Sequence, residues 1–530
     1  RNAGYVLTSG TQNVFVGGLS GDATTTASNN TAVGYNSLTA NTTASYNTAV
    51  GAESLDSNTT GEHTTALGYG ALGANTTGSN NTSVGSEALG ANTTGGQNTA
   101  LGQEASKDNT TGYSNVAVGR QALTDNTTGF ENVAIGARAL FTNTTGDHNV
   151  AVGRSALAVN TTGDDNTGVG YSSLLANTTG TNNVALGIYT LRYNSTGVAN
   201  TALGRMALFN NTTAANNTAV GYNSLFANTT GTPNTAVGKS ALESNTTGTN
   251  NVAVGDNALT ANSTAYSNTA VGSAALQGNT VGFQNTGVGY ASLATNSTGD
   301  KNTAVGVYAL RYATTADNNT AFGWSASAAN TTGYNNVAVG LNAATTNTTG
   351  TNNTAVGVQA LNSNTTGHSN VAVGLDSLKA NTTGIRNTAV GYQALLSATT
   401  AAGNTAFGAY AGDSTTTGAN NTFIGYDTAP ANTTGENNVS LGAGSLHANT
   451  TASYNTGLGA TTLYTNTTGH SNVAVGKDAL YFNTTGNYNI AVGRGCLDNN
   501  TTASNNTGVG YNALTANTTG ASETAVGRGA

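Results

Sequence analysis

Residues 30–46 read NTAVGYNSLTANTTASY and residues 47–63 read NTAVGAESLDSNTTGEH, nearly the same seventeen letters twice over. The repetition does not stop there. The glycine that closes each A-V-G stretch stands at every seventeenth position from 17 to 527, giving 31 copies with no insertion or deletion. As a template the unit is N-[T/V]-A-V-G-x-x-A-L-x-x-N-T-T-G-x-x. Its first Asn is present in 29 of 31 units, Thr64 and Glu523 being the exceptions. The second position is β-branched throughout, and the third is small apart from Phe15 and Phe423. The fourth is apolar throughout, as in Val33, Leu67, Ile135 and Phe322.

A strict period reports one structural unit copied in space. An α-helix turns about 100° per residue, so seventeen residues leave successive copies roughly 260° out of phase. Val33 and Val50 would then face different directions, and the interior Gly and Asn also oppose helix. Disorder, which the low-complexity composition invites, requires no fixed register. The period therefore predicts an all-β chain: a parallel β-solenoid or β-roll, with one seventeen-residue coil per layer. Copies then lie about 4.8 Å apart, and 31 coils would span roughly 150 Å as a rod. An indel would break every ladder it crossed.

The unit assigns roles within the coil. N-T-A-V alternates as a strand, with Thr31 and Val33 on one face and Asn30 and Ala32 on the other. Gly34, Gly51, Gly68 and Gly85 supply a corner open to positive φ. The A-L pair predicts a second short strand, its Leu38, Leu55 and Leu72 pointing inward. NTTG forms the opposite turn. Asn30, Asn47, Asn81, Asn98 and Asn115 are expected to stack along the axis as a hydrogen-bonded ladder. The small-residued face of Ala32, Ala49 and Ala66 suits close contact with another copy, which favours a homo-oligomer and in particular a trimer. The rival is a single-chain solenoid with that alanine face packed inside.

Composition narrows the function. Only 7% of residues are charged, and the net charge of −8 is thin over 530 residues. No basic footprint for nucleic acid is present, and no apolar run reaches the length of a membrane span. One cysteine, Cys496, cannot form an internal disulfide. The chain opens RNAGYVLTSG, which reads as a segment of a longer fibre. Residues 1–530 are expected to form one continuous array, with no separate tip, anchor or chaperone domain among them.

The runs NTAVGYNSL, NTTGTNNVALG and NTTGYNNVAVG resemble the long arrays of tail-fibre-domain proteins of bacteria and phages. The N-T-A-V-G and N-V-A-V-G corners are similar to the head repeats of trimeric autotransporter adhesins. That resemblance covers essentially the whole chain. It implies a left-handed β-roll in a homotrimeric fibre, with Val33 and Val50 inside each roll and Ala32 and Ala49 at the trimer contact. The coil here is longer than the usual head coil, with NTTG inserted at one edge.

Along positions 24 to 517 there are 30 NTT slots, of which 26 hold Asn and 25 are complete N-x-[S/T] acceptors. Asn41, Asn58 and Asn75, with Thr42, Thr43, Thr59, Thr60, Thr76 and Thr77, are thus candidates for covalent glycans. Plain turn chemistry with stacked threonines explains the same residues. Thr315, Thr400 and Thr417 persist where the Asn is lost, so the Thr pair has a role of its own, as a ladder or as an O-linked attachment point. An ice-binding plane wants T-x-T on a flat strand, whereas Thr42 and Thr43 are adjacent in a turn. The aspartates lack the repeating frame of calcium-binding repeats. His63, His148, His368, His447 and His470 are scattered without a catalytic partner. Aromatics such as Tyr35, Tyr69, Phe130, Tyr171 and Trp324 follow the corner glycine or adjoin the turn, where they decorate the coil and offer contacts for sugars or neighbouring fibres. The expected protein is no enzyme, carries no cofactor, and forms the shaft of an extracellular, cell-surface or virion-associated fibre that associates with itself. The alternatives are an adhesin for environmental or cell-surface glycans and, remotely, an ice-binding protein.

Overall fold

The computed structural model describes residues 2–530. Its contacts divide into two compact units, one reaching to Tyr266 and the other Ser267–Ala530. The fold is a parallel β-solenoid of about 30 turns, one seventeen-residue repeat per turn, and no helix occurs among the described residues. The first unit holds fifteen strands, from β1 (Val14–Val16) to β15 (Asn251–Val254), and the second sixteen, from β16 (Thr269–Val271) to β31 (Thr524–Val526). Successive strands pair in parallel with every residue beside its own copy. Thr31, Ala32 and Val33 face Thr48, Ala49 and Val50 in the first unit; Thr303, Ala304 and Val305 face Thr320, Ala321 and Phe322 in the second.

Each coil contains only this one short strand, yet it is laddered to its neighbours nearly all the way round. The Leu38 N–H donates to the Ser54 carbonyl at 2.9 Å, Ala40 to Asp56 at 2.9 Å and Thr59 to Thr76 at 2.9 Å. The expected second strand at A-L is instead a tight bend. Leu38 and Leu55 lie at φ 56° and 49°, in the left-handed region. The bend still aims both side chains inward, and both are fully buried. Left-handed backbone is severe for β-branched residues, and no Val, Ile or Thr occupies this position in any repeat. At the corner, Gly34 has φ 143°, and a Cβ there would run into the Gly51 carbonyl of the next coil. Two separate constraints therefore hold the corner to glycine.

The strand turns the opposite way from what its hydrophobicity implies. Ala32, Ala49 and Ala66 are fully buried inside the coil. Thr31, Val33, Thr48 and Val50 point outward and are only half-buried, while Leu67 and Leu101 at the valine position are 45% and 46% exposed. Val33 and Val50 are thus not core residues, and the alanines are not an interface. The reason is width. Between strand and bend the coil admits one large side chain, the leucine, and that leaves room only for small neighbours.

Phe15 and Phe423 test this account. Each phenylalanine takes the alanine position, and a nearby leucine position holds glycine. A Cβ on Gly21 would come within 2.6 Å of the Phe15 ring, and one on Gly412 within 2.5 Å of Phe423. Phe423 is the largest fully buried side chain. Volume is conserved across the layer even where the residues are exchanged.

Candidate functional site

Two rows of asparagine run through the interior of each unit. In the first, which includes Asn30, Asn47, Asn81, Asn98 and Asn115, every asparagine after the half-buried Asn13 is buried. Where the coil before also carries Asn, the backbone N–H donates to its Oδ1: Asn47 to Asn30 at 2.9 Å, Asn98 to Asn81 at 2.9 Å and Asn115 to Asn98 at 3.0 Å. This ladder follows the expectation from sequence.

The second row is Asn41, Asn58, Asn75 and their copies, and here the structure corrects the glycan assignment. These side chains are fully buried. The Nδ2 of Asn58 donates to Asn41 Oδ1 at 3.2 Å and to the Gly61 carbonyl at 3.0 Å; Asn75 repeats the pattern at 2.8 Å and 3.0 Å. An amide nitrogen enclosed in this way has no room for an N-linked sugar on the folded chain. Both rows converge on one acceptor, since the Gly61 carbonyl also receives Nδ2 of Asn47 at 2.9 Å. The N-x-[S/T] reading was compelling only because an interior ladder uses the same letters.

The threonines after that Asn divide their labour. Thr59 and Thr76 use their hydroxyls to reach the next coil's carbonyl, each at 3.0 Å. Thr42 is exposed, as are Thr43, Thr60 and Thr77 in the following slot. The last three form an open row, one hydroxyl per coil.

The remaining surface carries ring stacks in step with the coils. Tyr113 lies on Phe130 with centroids 4.9 Å apart, and Tyr464 lies between His447 and Tyr481 at 4.6 and 5.0 Å. His148 sits 3.4 Å from Glu131 and 3.5 Å from Asp165, and His63 stacks on Tyr46. Cys496 is buried, and burial pushes its thiol up, away from the reactive thiolate. Among the described residues no three His, Cys, Asp or Glu side chains gather in a metal-binding group, and no helix is long and apolar enough to cross a membrane. Compared with known proteins, the chain matches no family model, and no curated protein matches it.

Proposed function

We propose that the protein is the structural shaft of an extracellular or virion-associated fibre, a stiff spacer or adhesive stalk. The observation that carries this reading is the pair of buried asparagine ladders. They fix each coil to the next by side-chain amides as well as backbone, so the repeated polar residues serve continuity along an axis and not a localised site. Low Lys and Arg content, 15 in 530 residues, also offers few cuts to trypsin-like proteases.

The outer strand face supports self-association, with the homotrimer implied by the adhesin-head resemblance as the arrangement we favour. That face presents β-branched and apolar side chains, Phe322 and Phe407 among them, with no charge in any repeat. A strand face about 10 Å wide over fifteen coils of about 4.8 Å offers roughly 700 Å² per unit, close to the ~800 Å² per partner of a stable interface. A second copy has the matching pitch by construction. The contact surface in this reading is thus Thr31, Val33 and their copies rather than the alanines. The open threonine row remains a place for O-linked glycans.

Imaging of the native particle with sedimentation analysis tests the proposal. The expected result is an elongated particle of three chains with an axial repeat near ~4.8 Å. A compact particle without that repeat overturns the shaft, and a monomer overturns the trimer alone. Intact mass tests the glycans: a folded chain at 52.4 kDa with no added mass removes them.

A further inference from the structure

The few cations of this chain are not scattered. Arg120, Arg138, Arg154, Arg192, Arg205 and Lys239 are six of its 15 Lys and Arg residues, they are consecutive among them, and all lie in the first unit. Each falls in the same part of the coil, one, two or five places after the corner glycine. Five are exposed and Arg192 is half-buried. None lies within ion-pair distance of a carboxylate. The acids of the same coils that cluster, Glu131, Asp147, Asp164 and Asp165, sit just before the strand, beside His148. Four of the six acids between Arg120 and Glu243 thus lie at the other end of the strand, while Asp125 and Glu243 share the cationic edge, Asp125 within the field of Arg138.

Aromatic rings interleave with these cations. The Arg192 guanidinium lies 4.7 Å from the Tyr189 ring centre and 5.4 Å from Tyr193. Arg138 lies 4.4 Å over Phe141, and Arg205 5.9 Å from Tyr222. Tyr171 meets Tyr189 edge to face at 5.3 Å. The Arg192 Nε is buried without a hydrogen-bond partner, a donor that the fold leaves unused. The Tyr–Arg–Tyr arrangement recurs in the second unit, where Arg311 lies 4.5 Å from Tyr308 and 5.0 Å from Tyr312.

We infer that this corner of the first unit binds a linear acidic polysaccharide. Guanidinium groups take carboxylates or sulfates through paired N–H donors, while tyrosine rings and hydroxyls suit the faces and hydroxyls of sugar rings. The pitch favours a polysaccharide over nucleic acid. A sugar ring in a linear polymer advances by nearly one coil of about 4.8 Å, so an acidic group on each ring falls in step with the cations, which six of the eight coils from Gly119 to Gly238 carry. Duplex phosphates, which rise about 3.4 Å per step along the helix axis, do not. This inference does not depend on the shaft reading, because it concerns one surface of a single unit.

The test is binding of the whole chain to labelled polygalacturonate and dextran sulfate, with neutral dextran and oligo(dT) as comparisons. Both acidic polymers are expected to bind in a salt-sensitive manner and neutral dextran not to bind. Arg192→Gln with Arg205→Gln is expected to weaken binding about tenfold, and Arg494→Gln in the second unit to leave it unchanged. Arg205→Gln alone alters an exposed side chain, so it reports even if the double variant folds poorly. Absence of binding to both acidic polymers, tighter binding of oligo(dT), or no loss in the Arg205→Gln variant overturns the inference.

Discussion

The two asparagine rows look interchangeable by letter and differ in what they hold. In the first, the donor common to the rungs is a backbone N–H, as in Asn166 to Asn149 at 3.0 Å, with the Nδ2 of the same residue adding a longer bond in many coils, here 3.2 Å. In the second it is another side chain, as in Asn160 to Asn143 at 2.8 Å. The interruptions expose the difference. Where Thr64 replaces an asparagine of the first row, its backbone still donates to Asn47 Oδ1 at 3.0 Å. Where Ala313 and Ala398 replace asparagines of the second row, the Oδ1 atoms of Asn296 and Asn381 are left buried and unpartnered. A gap in the first row spares the oxygen behind it and removes the acceptor of the amide ahead. A gap in the second orphans the oxygen behind. An unpaired buried backbone N–H is the rarer defect in folded proteins, and the first row has fewer gaps, two in 31 against four in 30.

The largest effect should therefore come from the first row. Asn149→Ala removes the 2.9 Å bond to the Gly163 carbonyl and strips the Asn166 amide of its acceptor. A lost hydrogen bond plus a buried orphan donor costs about 3 kcal/mol. Because a solenoid opens coil by coil, the loss should appear as faster hydrogen exchange around residues 149–166, with distant coils unchanged. A uniform loss of protection along the unit would mean that the ladder acts globally, and no loss would mean that it is ornamental.

Asn160→Ala should cost less, about 2 kcal/mol. Each variant leaves the Gly163 carbonyl one asparagine bond, but this one orphans the Asn143 side-chain oxygen where the other orphans a backbone N–H. Equal exchange rates in the two variants would erase the distinction between the rows.

How far these rows could be read from the letters alone differs in the same way. The seventeen-residue count, the corner glycines, the inward leucines and the first ladder follow from periodicity and need no knowledge of packing. The direction of the strand was hidden, because Val33 is more hydrophobic than Ala32 and burial is ordinarily ranked that way. Inside a coil this narrow, size outranks hydrophobicity. The sign of that was present in the exchange of Phe423 against Gly412, a compensation between two positions, which a residue-by-residue reading passes over. The second ladder was hidden by its letters, which also spell an acceptor motif for sugar. The cationic corner was hidden because overall charge is negative, and only the coil register gathers six cations on one edge.

Repair is a sharper test than damage. Ala398→Asn places a donor where Asn381 Oδ1 has none, with the Ala401 carbonyl standing in the place of the glycine carbonyl that such an amide also reaches. About 1 kcal/mol of added stability is expected, read as slower exchange in the coils around residues 381–404. No gain would show that the interrupted coil has relaxed around its alanine, and that the orphaned oxygen costs nothing.

The smallest effect concerns a half-buried oxygen that neither ladder serves. Burial pushes the Asp413 carboxyl above its ordinary value, with Asp427 adding to the rise and a hydrogen bond from Ser414 opposing it. A carboxylate raised in the folded state contributes stability below its unfolded pKa, and that contribution is lost as pH rises through the folded value. Asp413→Asn should thus raise the thermal midpoint slightly at pH 7 and leave it unchanged near pH 3, where both states of the native residue are protonated. A gain of equal size at both pH values would trace the effect to packing. A loss at pH 7 would mean that the charge is favoured where it stands.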